Sequence, residues 1–211
     1  EEDLAARDLT INALALSSTG KLYMHPQSLE DLRQRVLRPA GPAAFAADPT
    51  RIFRLARFAG VWPHWRIAPE AFAQMRALSA NALAALPAER VGREMLKALA
   101  APAPARFFRV LAQGRALNPW FTELAAAATI PAGPKPWHSR SVLEHSLRIM
   151  GLVAGDQIAV WMALCHDLGK IGTDPALLPH HYGHEKRGTA LAVGLARRLG
   201  LPARLARAGA L

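Results

Sequence analysis

The chain has a single cysteine, Cys165, in 211 residues, so an internal disulfide is excluded. Its place in the apolar run before His166 marks it as a small buried hydrophobe rather than a nucleophile. No apolar stretch approaches the roughly 18 uncharged residues that a membrane-spanning helix needs. The start of the chain lacks the basic-then-apolar pattern of a secretory signal. These absences predict a cytoplasmic protein with no membrane partner. Strand-forming runs are few, no internal repeat is evident, and low-complexity sequence is confined to Ala-rich patches. The alanine and leucine that dominate instead predict a mostly α fold, and 51% hydrophobic content supplies ample core material. Acidic residues stop at Glu185, and nowhere do two aspartates stand one residue apart.

The shortage of acid leaves 26 Lys+Arg against 16 Asp+Glu, a net charge of +10. Beyond Glu185 only bases follow: Lys186, Arg187, Arg197, Arg198, Arg204 and Arg207. A polyanion, nucleic acid or nucleotide, is the expected partner. The excess of arginine over lysine suits forked contacts to phosphates.

Along the chain, residues 1–27 read as the end of a mixed α/β unit. Asp8 to Leu16 is an apolar run, Ser17-Ser18-Thr19-Gly20 is turn chemistry, and Leu22-Tyr23-Met24 is a short strand candidate. From Leu29 the pattern is helical, interrupted briefly near Pro39 and Pro42, at Pro63, Pro69 and Pro87, and at Pro102 and Pro104. The densest breakers, Pro131 to Pro136, mark the main domain boundary.

Two helix starts are well signalled. Asp48-Pro49 predicts an N-cap followed by Pro at the first helical position, after which Ile52, Leu55, Ala56 and Ala59 share an apolar face. Opposite that face Arg51, Arg54 and Arg57 recur every three residues, with no acid between Asp48 and Glu70 to compensate them at i±4. The spacing predicts an unpaired basic stripe able to take phosphates, with Asp48 and Arg51 offering a carboxylate and a guanidinium to base edges. Ser141-Val-Leu-Glu144 is a capping box opening a helix on which Val142, His145 and Ile149 share a face.

Six of the eight histidines, His138, His145, His166, His180, His181 and His184, fall within residues 138–184. In their midst Leu164-Cys165-His166-Asp167-Leu168-Gly169-Lys170 sets a His directly before an Asp at the end of an apolar helix. Neutral imidazole beside carboxylate suits a borderline divalent metal. His145, His166 and Asp167 are therefore the expected ligands, without distinguishing nickel, manganese, cobalt or zinc. His180, His181 and His184 could serve a second metal or grip a phosphate. Lys170 reads equally as a phosphate contact and as a helix C-terminal lysine facing the macrodipole.

Together these segments carry a resemblance. Glu2-Asp3-Leu4-Ala5-Ala6-Arg7-Asp8-Leu9-Thr10-Ile11-Asn12-Ala13 resembles the "RRD-F/L-T-x-N-A" segment of the bacterial tRNA nucleotidyltransferase and poly(A) polymerase family, the class II CCA-adding enzymes. Asp48 to Phe58 resembles its "EDxxR…RxxRF" segment, and Glu89-Arg90-Val91 with Glu94 its "ERI…E" helix. The histidine cluster is similar to the C-terminal HD phosphohydrolase domain found in a subgroup of these enzymes. The match runs in order over nearly the whole chain. It implies the end of the palm at 1–27, a nucleotide-recognising neck at 28–100, body helices and linker at 101–136, and part of an α-helical HD domain at 137–211.

The resemblance further implies that Asp48 and Arg51 pair with the Watson–Crick edge of CTP or ATP. Arg7, Arg54 and Arg57 would hold phosphates and ribose, with Asp8 and Asn12 in the same nucleotide-binding set. tRNA would be the acceptor and two magnesium ions the palm cofactor. The palm's Asp-x-Asp pair is not in this sequence, so no catalytic residue for nucleotide transfer is expected here, and the chain is expected to belong to a longer protein. Ala6 and Ala47 stand where the family has Arg and Glu. The later Asp ligand usual in HD domains has no counterpart after Glu185. Alternatives are a poly(A) polymerase-like relative, a standalone HD nucleotide phosphohydrolase, or a non-catalytic RNA-binding module.

Overall fold

The computed structural model describes residues 4, 6–136 and 139–210; His138 and the first residues of the "RRD"-like segment lie outside them. The chain begins with a 3-10 turn at Thr10–Asn12 and an antiparallel hairpin of β1 (Leu14–Leu16) and β2 (Leu22–Met24), with Ala15 opposite Tyr23. The turn between them closes because Ser17 Oγ accepts from Lys21 N at 2.9 Å and Gly20 takes φ +82°. Leu22–Met24 is the short strand expected after the turn, and its partner Leu14–Leu16 comes from the stretch read only as an apolar run.

Helix α1 (Ser28–Gln34) ends on Arg35 in the left-handed region. A two-residue strand, β3 (Val36–Leu37), then pairs in parallel with β4 (Arg66–Ile67). Helices fill the rest of the chain: α2 (Ala44–Ala47), α3 (Arg51–Val61), α4 (Pro69–Ala77), α5 (Ala80–Ala84) and α6 (Ala88–Leu99). They continue with α7 (Ala105–Gln113), α8 (Thr122–Ala127), α9 (Val142–Leu152), α10 (Gln157–Cys165), α11 (His184–Arg198) and α12 (Ala203–Ala208). Several prolines start helices rather than break them. Pro69 is the first residue of α4, and Pro87, Pro104 and Pro202 each stand immediately before a helix, where the absent N–H costs nothing.

Helix α3 begins at Arg51, two residues later than the Asp48-Pro49 cap predicts. The capping chemistry is nonetheless there: Asp48 Oδ1 accepts from Thr50 N at 3.0 Å, and Arg51 N donates to the Asp48 carbonyl. Its apolar face reads as expected, since Ile52, Leu55, Ala56 and Ala59 are fully buried, joined by Phe53. Phe53 meets Phe107, Phe121 and, through them, Phe108, with centroids 5.0–6.5 Å apart in tilted and edge-on pairs. A contiguous core runs from Leu9 to Leu205. Trp120 and Trp161 enter it with their indole N–H groups donating to the carbonyls of Leu83 and Leu205.

Glycine decides one packing contact. A Cβ on Gly169 would lie 1.8 Å from the His184 carbonyl oxygen and 2.5 Å from Gly188 N. The turn at Leu168–Gly172 therefore packs backbone to backbone on α11, which brings the start of α11 against Asp167.

Candidate functional site

Two polar sites stand on this frame. The first forms where α9, the end of α10 and the start of α11 meet. Ser141 caps α9 by accepting from Glu144 N at 3.3 Å. The reciprocal arm of a capping box is replaced: the Glu144 carboxylate takes Arg109 Nη2 at 3.3 Å. His145, one turn along, sets Nε2 3.7 Å from Asp167 Oδ2. His166 sets its own Nε2 3.3 Å from the same oxygen. Donor atoms of His145, His166 and Asp167 all lie within 4.8 Å of one another.

The surroundings orient these groups for a cation. His166 Nδ1 lies 2.9 Å from the Ala163 carbonyl. A carbonyl only accepts, so Nδ1 carries the proton and the neutral ring turns its Nε2 lone pair to the cluster. His184 repeats the device, with Nδ1 2.7 Å from the His181 carbonyl and Nε2 3.5 Å from Asp167 Oδ1. Asp167 is 4% exposed, and its Oδ2 makes no well-aligned hydrogen bond although Lys170 Nζ approaches to 2.9 Å. A buried carboxylate oxygen facing two imidazole nitrogens fits a divalent metal. Burial pushes the Asp167 carboxyl up, but His166 and Lys170 outweigh it and hold it far below the usual carboxylate range. Asp167 in turn raises His166 against its partial burial.

The remaining histidines do not converge. His181 spends both ring nitrogens, Nε2 donating to the Pro131 carbonyl at 2.8 Å and Nδ1 accepting from Thr173 Oγ1 at 2.8 Å. His180 stacks on exposed Tyr182. Of the loop trio only His184 reaches Asp167. Lys170 is 8% exposed and divides its ammonium between Asp167 and the Ala132 carbonyl. Its ammonium is committed internally.

The second site lies at the start of α3. The absence of nearby acids suggests three unpaired arginines, and the structure corrects this. Arg54 Nε donates to Asp8 Oδ2 at 2.7 Å. Arg57 Nε donates to Glu94 Oε2, and its guanidinium lies 4.0 Å from the Phe58 ring centre. Arg51 donates to the carbonyls of Ala6, Arg7 and Ala44. The compensating acids come from segments 46 and 37 residues away, where no i±4 search finds them. Asp8 is itself buried, with Oδ1 accepting from Leu9 N and Asn12 Nδ2. Asp8, Asn12 and Arg54 thus form one network, while Arg7 is exposed beside it.

Asp48 does not pair with Arg51. Its Oδ2 takes Arg90 Nη2 from α6 at 2.7 Å. Burial pushes the Asp48 carboxyl up, yet the hydrogen bonds from Arg90 and Thr50 prevail and hold it below its ordinary value. Sequence spacing gives no role to Thr50, Arg93 or Lys97, which with Arg54, Arg90 and Glu94 line a cleft between the start of α3 and α6.

Known proteins resemble this chain in sequence and in fold. Residues 65–128 match the family model described as the probable RNA and SrmB-binding site of polymerase A. A multifunctional CCA protein of Pasteurella multocida (strain Pm70) is 43% identical over 96% of this chain and 50% of its own length. A solved tRNA-processing enzyme in apo form superposes with TM-score 0.60 at 22% identity, over 99% of this chain and 55% of its own. The CCA-adding enzyme of Thermotoga maritima, solved in complex with tRNA, gives TM-score 0.57 at 18% identity over 100% of this chain and 57% of its own. The chain spans about half the length of the curated relatives it matches. Over nearly its whole length the chain is therefore similar to proteins named for CCA, and its mostly helical fold is that of the solved tRNA-processing and CCA-adding enzymes.

Proposed function

We propose that this chain is the nucleotide-reading and phosphohydrolase part of a cytoplasmic enzyme that adds or repairs the 3′-terminal CCA of tRNA from CTP and ATP. The observation that carries the reading is the 43% identity, over 96% of the chain, to a protein named for CCA. Residues 28–100 would form the neck that reads the nucleotide, 101–136 the body, and 137–211 the hydrolase. The magnesium-binding carboxylates of nucleotide transfer are not among these residues.

Cytosine and adenine both present an exocyclic amine next to a ring nitrogen that accepts. Asp48, kept ionised by Arg90, only accepts and so suits that amine, and Arg51 would donate to the ring nitrogen. Uracil and guanine present a carbonyl there instead, which sets two acceptors face to face at a cost of about 1–3 kcal/mol. Arg51 must first release the carbonyls of Ala6, Arg7 and Ala44, so closing on a base loosens the N-terminal segment from α3. Arg54 and Arg57, with Arg7, would hold ribose and phosphates, with Asp8 and Asn12 fixing Arg54.

At the other site His145, His166 and Asp167 would hold a divalent transition metal, whose Lewis acidity would activate a phosphoester for hydrolysis. The Ala163 carbonyl fixes the His166 ring, and Lys170 balances the charge of Asp167.

The family model's description also names polymerase A, which favours a poly(A)-adding relative as a second reading. One assay separates the two. The whole protein, given tRNA lacking its 3′ end together with CTP and ATP, is expected to extend it by CCA and stop. Long runs of A would favour the second reading, and no incorporation would contradict both.

A further inference from the structure

Between the start of α3 and one face of α6 lies a cleft of about 200 Å³ lined by Thr50, Arg54, Arg90, Arg93, Glu94 and Lys97. Arg90, Arg93 and Lys97 stand at i, i+3 and i+7 of α6 and so share a face. The charges are unequal. Arg54 is matched by Asp8, Arg90 by Asp48 and Arg57 by Glu94, while Lys97 lies 3.5 Å from the other Glu94 oxygen. Arg93 is exposed and makes no hydrogen bond or ion pair among the described residues. Positive charge is therefore left over in a concave site.

A second feature of the same cleft points to a ligand. Thr50 is 3% exposed and its Oγ1 has no hydrogen-bond partner among the described residues. A buried hydroxyl without a partner costs folding free energy that nothing here recovers. Arg54 and Arg90 flank it in the lining, and an anion seated there would supply the missing acceptor.

We propose that this cleft binds a phosphate group through Thr50, Arg93 and Lys97, in company with Arg54 and Arg90. A phosphate has three or more acceptor oxygens and needs several donors from different directions. Guanidiniums from two helices, an ammonium and a hydroxyl provide them. Glu94 does not oppose binding, because Arg57 already neutralises it. The proposal rests on the nucleotidyltransferase reading for its two candidate sources, a phosphodiester of the RNA or the triphosphate tail of the nucleotide.

Binding of this chain to tRNA lacking its CCA end, to CTP and to inorganic tripolyphosphate, measured over a range of salt, separates them. The paired substitution Arg93→Gln and Lys97→Gln replaces two exposed side chains with another good helix former, so the fold should persist. It is expected to weaken at least one probe about tenfold. A loss for tRNA, with a log–log salt slope shallower by about 1–2, assigns the cleft to an RNA phosphate. A loss confined to CTP and tripolyphosphate assigns it to the nucleotide. Unchanged affinity for all three, or a wild-type chain that binds none, overturns the site. Thr50→Val deletes only the partnerless hydroxyl. It should leave Tm unchanged or raise it while weakening the same probe, and unchanged affinity would remove Thr50 from the site. Base discrimination by Asp48 is not read in this experiment, so failure of either proposal remains separately visible.

Discussion

Asp167→Asn is expected to lower affinity for a divalent transition metal by at least about 100-fold, with helix content unchanged by circular dichroism. Replacing a group that merely orients a ligand costs 10–100-fold, and Asp167 is the only carboxylate in the candidate set. Asn keeps the shape and removes the charge that faces His145 and His166. His145→Ala should weaken binding in the same assay while leaving the Asp167–Lys170 pair in place, which separates loss of a ligand from local collapse. The wild type should lose metal as pH falls, because imidazole must be neutral to bind. Asp167 raises the His166 pKa, so proton competition should begin above the ordinary imidazole value near 6.5. Titration calorimetry with manganese or nickel reads both effects. Wild-type affinity in Asp167→Asn would mean that the metal, if bound, sits elsewhere.

The second large effect concerns stability. Arg198 closes α11 onto α8 by donating to both oxygens of Glu123, at 2.6 and 2.8 Å, and to the Trp120 carbonyl at 3.1 Å. Glu123 is 6% exposed, so Arg198→Ala would leave a buried carboxylate without its partner. The expected loss is about 3 kcal/mol, or a Tm lower by about 10 °C. Replacing both residues with leucine should recover much of it, since the desolvation cost then disappears with the attraction. Burial pushes the Glu123 carboxyl up, but Arg198 prevails and holds it below its ordinary value. A depressed folded pKa gives stability that is present above the unfolded value and lost as pH falls through the folded one. Wild-type Tm should therefore fall in that acidic window more steeply than Tm of Arg198→Ala. Equal Tm values for the two proteins at neutral pH would contradict this account of the pair.

Much of this was legible in the sequence, for reasons that differ by residue. The stripe of Ile52, Leu55, Ala56 and Ala59 follows from helical period alone, and all four are buried. The strand at Leu22 to Met24 follows from the turn chemistry at Ser17 to Gly20 before it. His145 and His166 come together because the Ser141 cap and an apolar helix end fix which way each faces, both of which are local signals. What was not legible is tertiary. Arg54 and Arg57 look unpaired because their partners, Asp8 and Glu94, lie on other segments. The ion pair between Asp48 and Arg90 joins residues 42 apart and has no signal in the spacing of either. His181 looks equivalent to His184 in sequence, but the chain reversal after Lys170 spends its nitrogens on Pro131 and Thr173. The close approach of Gly169 to α11 has no local signature, although it sets His184 against Asp167.

The central claim is that protein side chains at the start of α3 read the base. The most direct test is kcat/KM for CTP and ATP relative to UTP and GTP in the whole protein, wild type against Asp48→Ala. The account predicts that this ratio falls about tenfold or more, since an ionised acceptor that only the amine-bearing bases can satisfy is gone. A ratio unchanged within error, in a variant that still folds and still adds nucleotides, would contradict it.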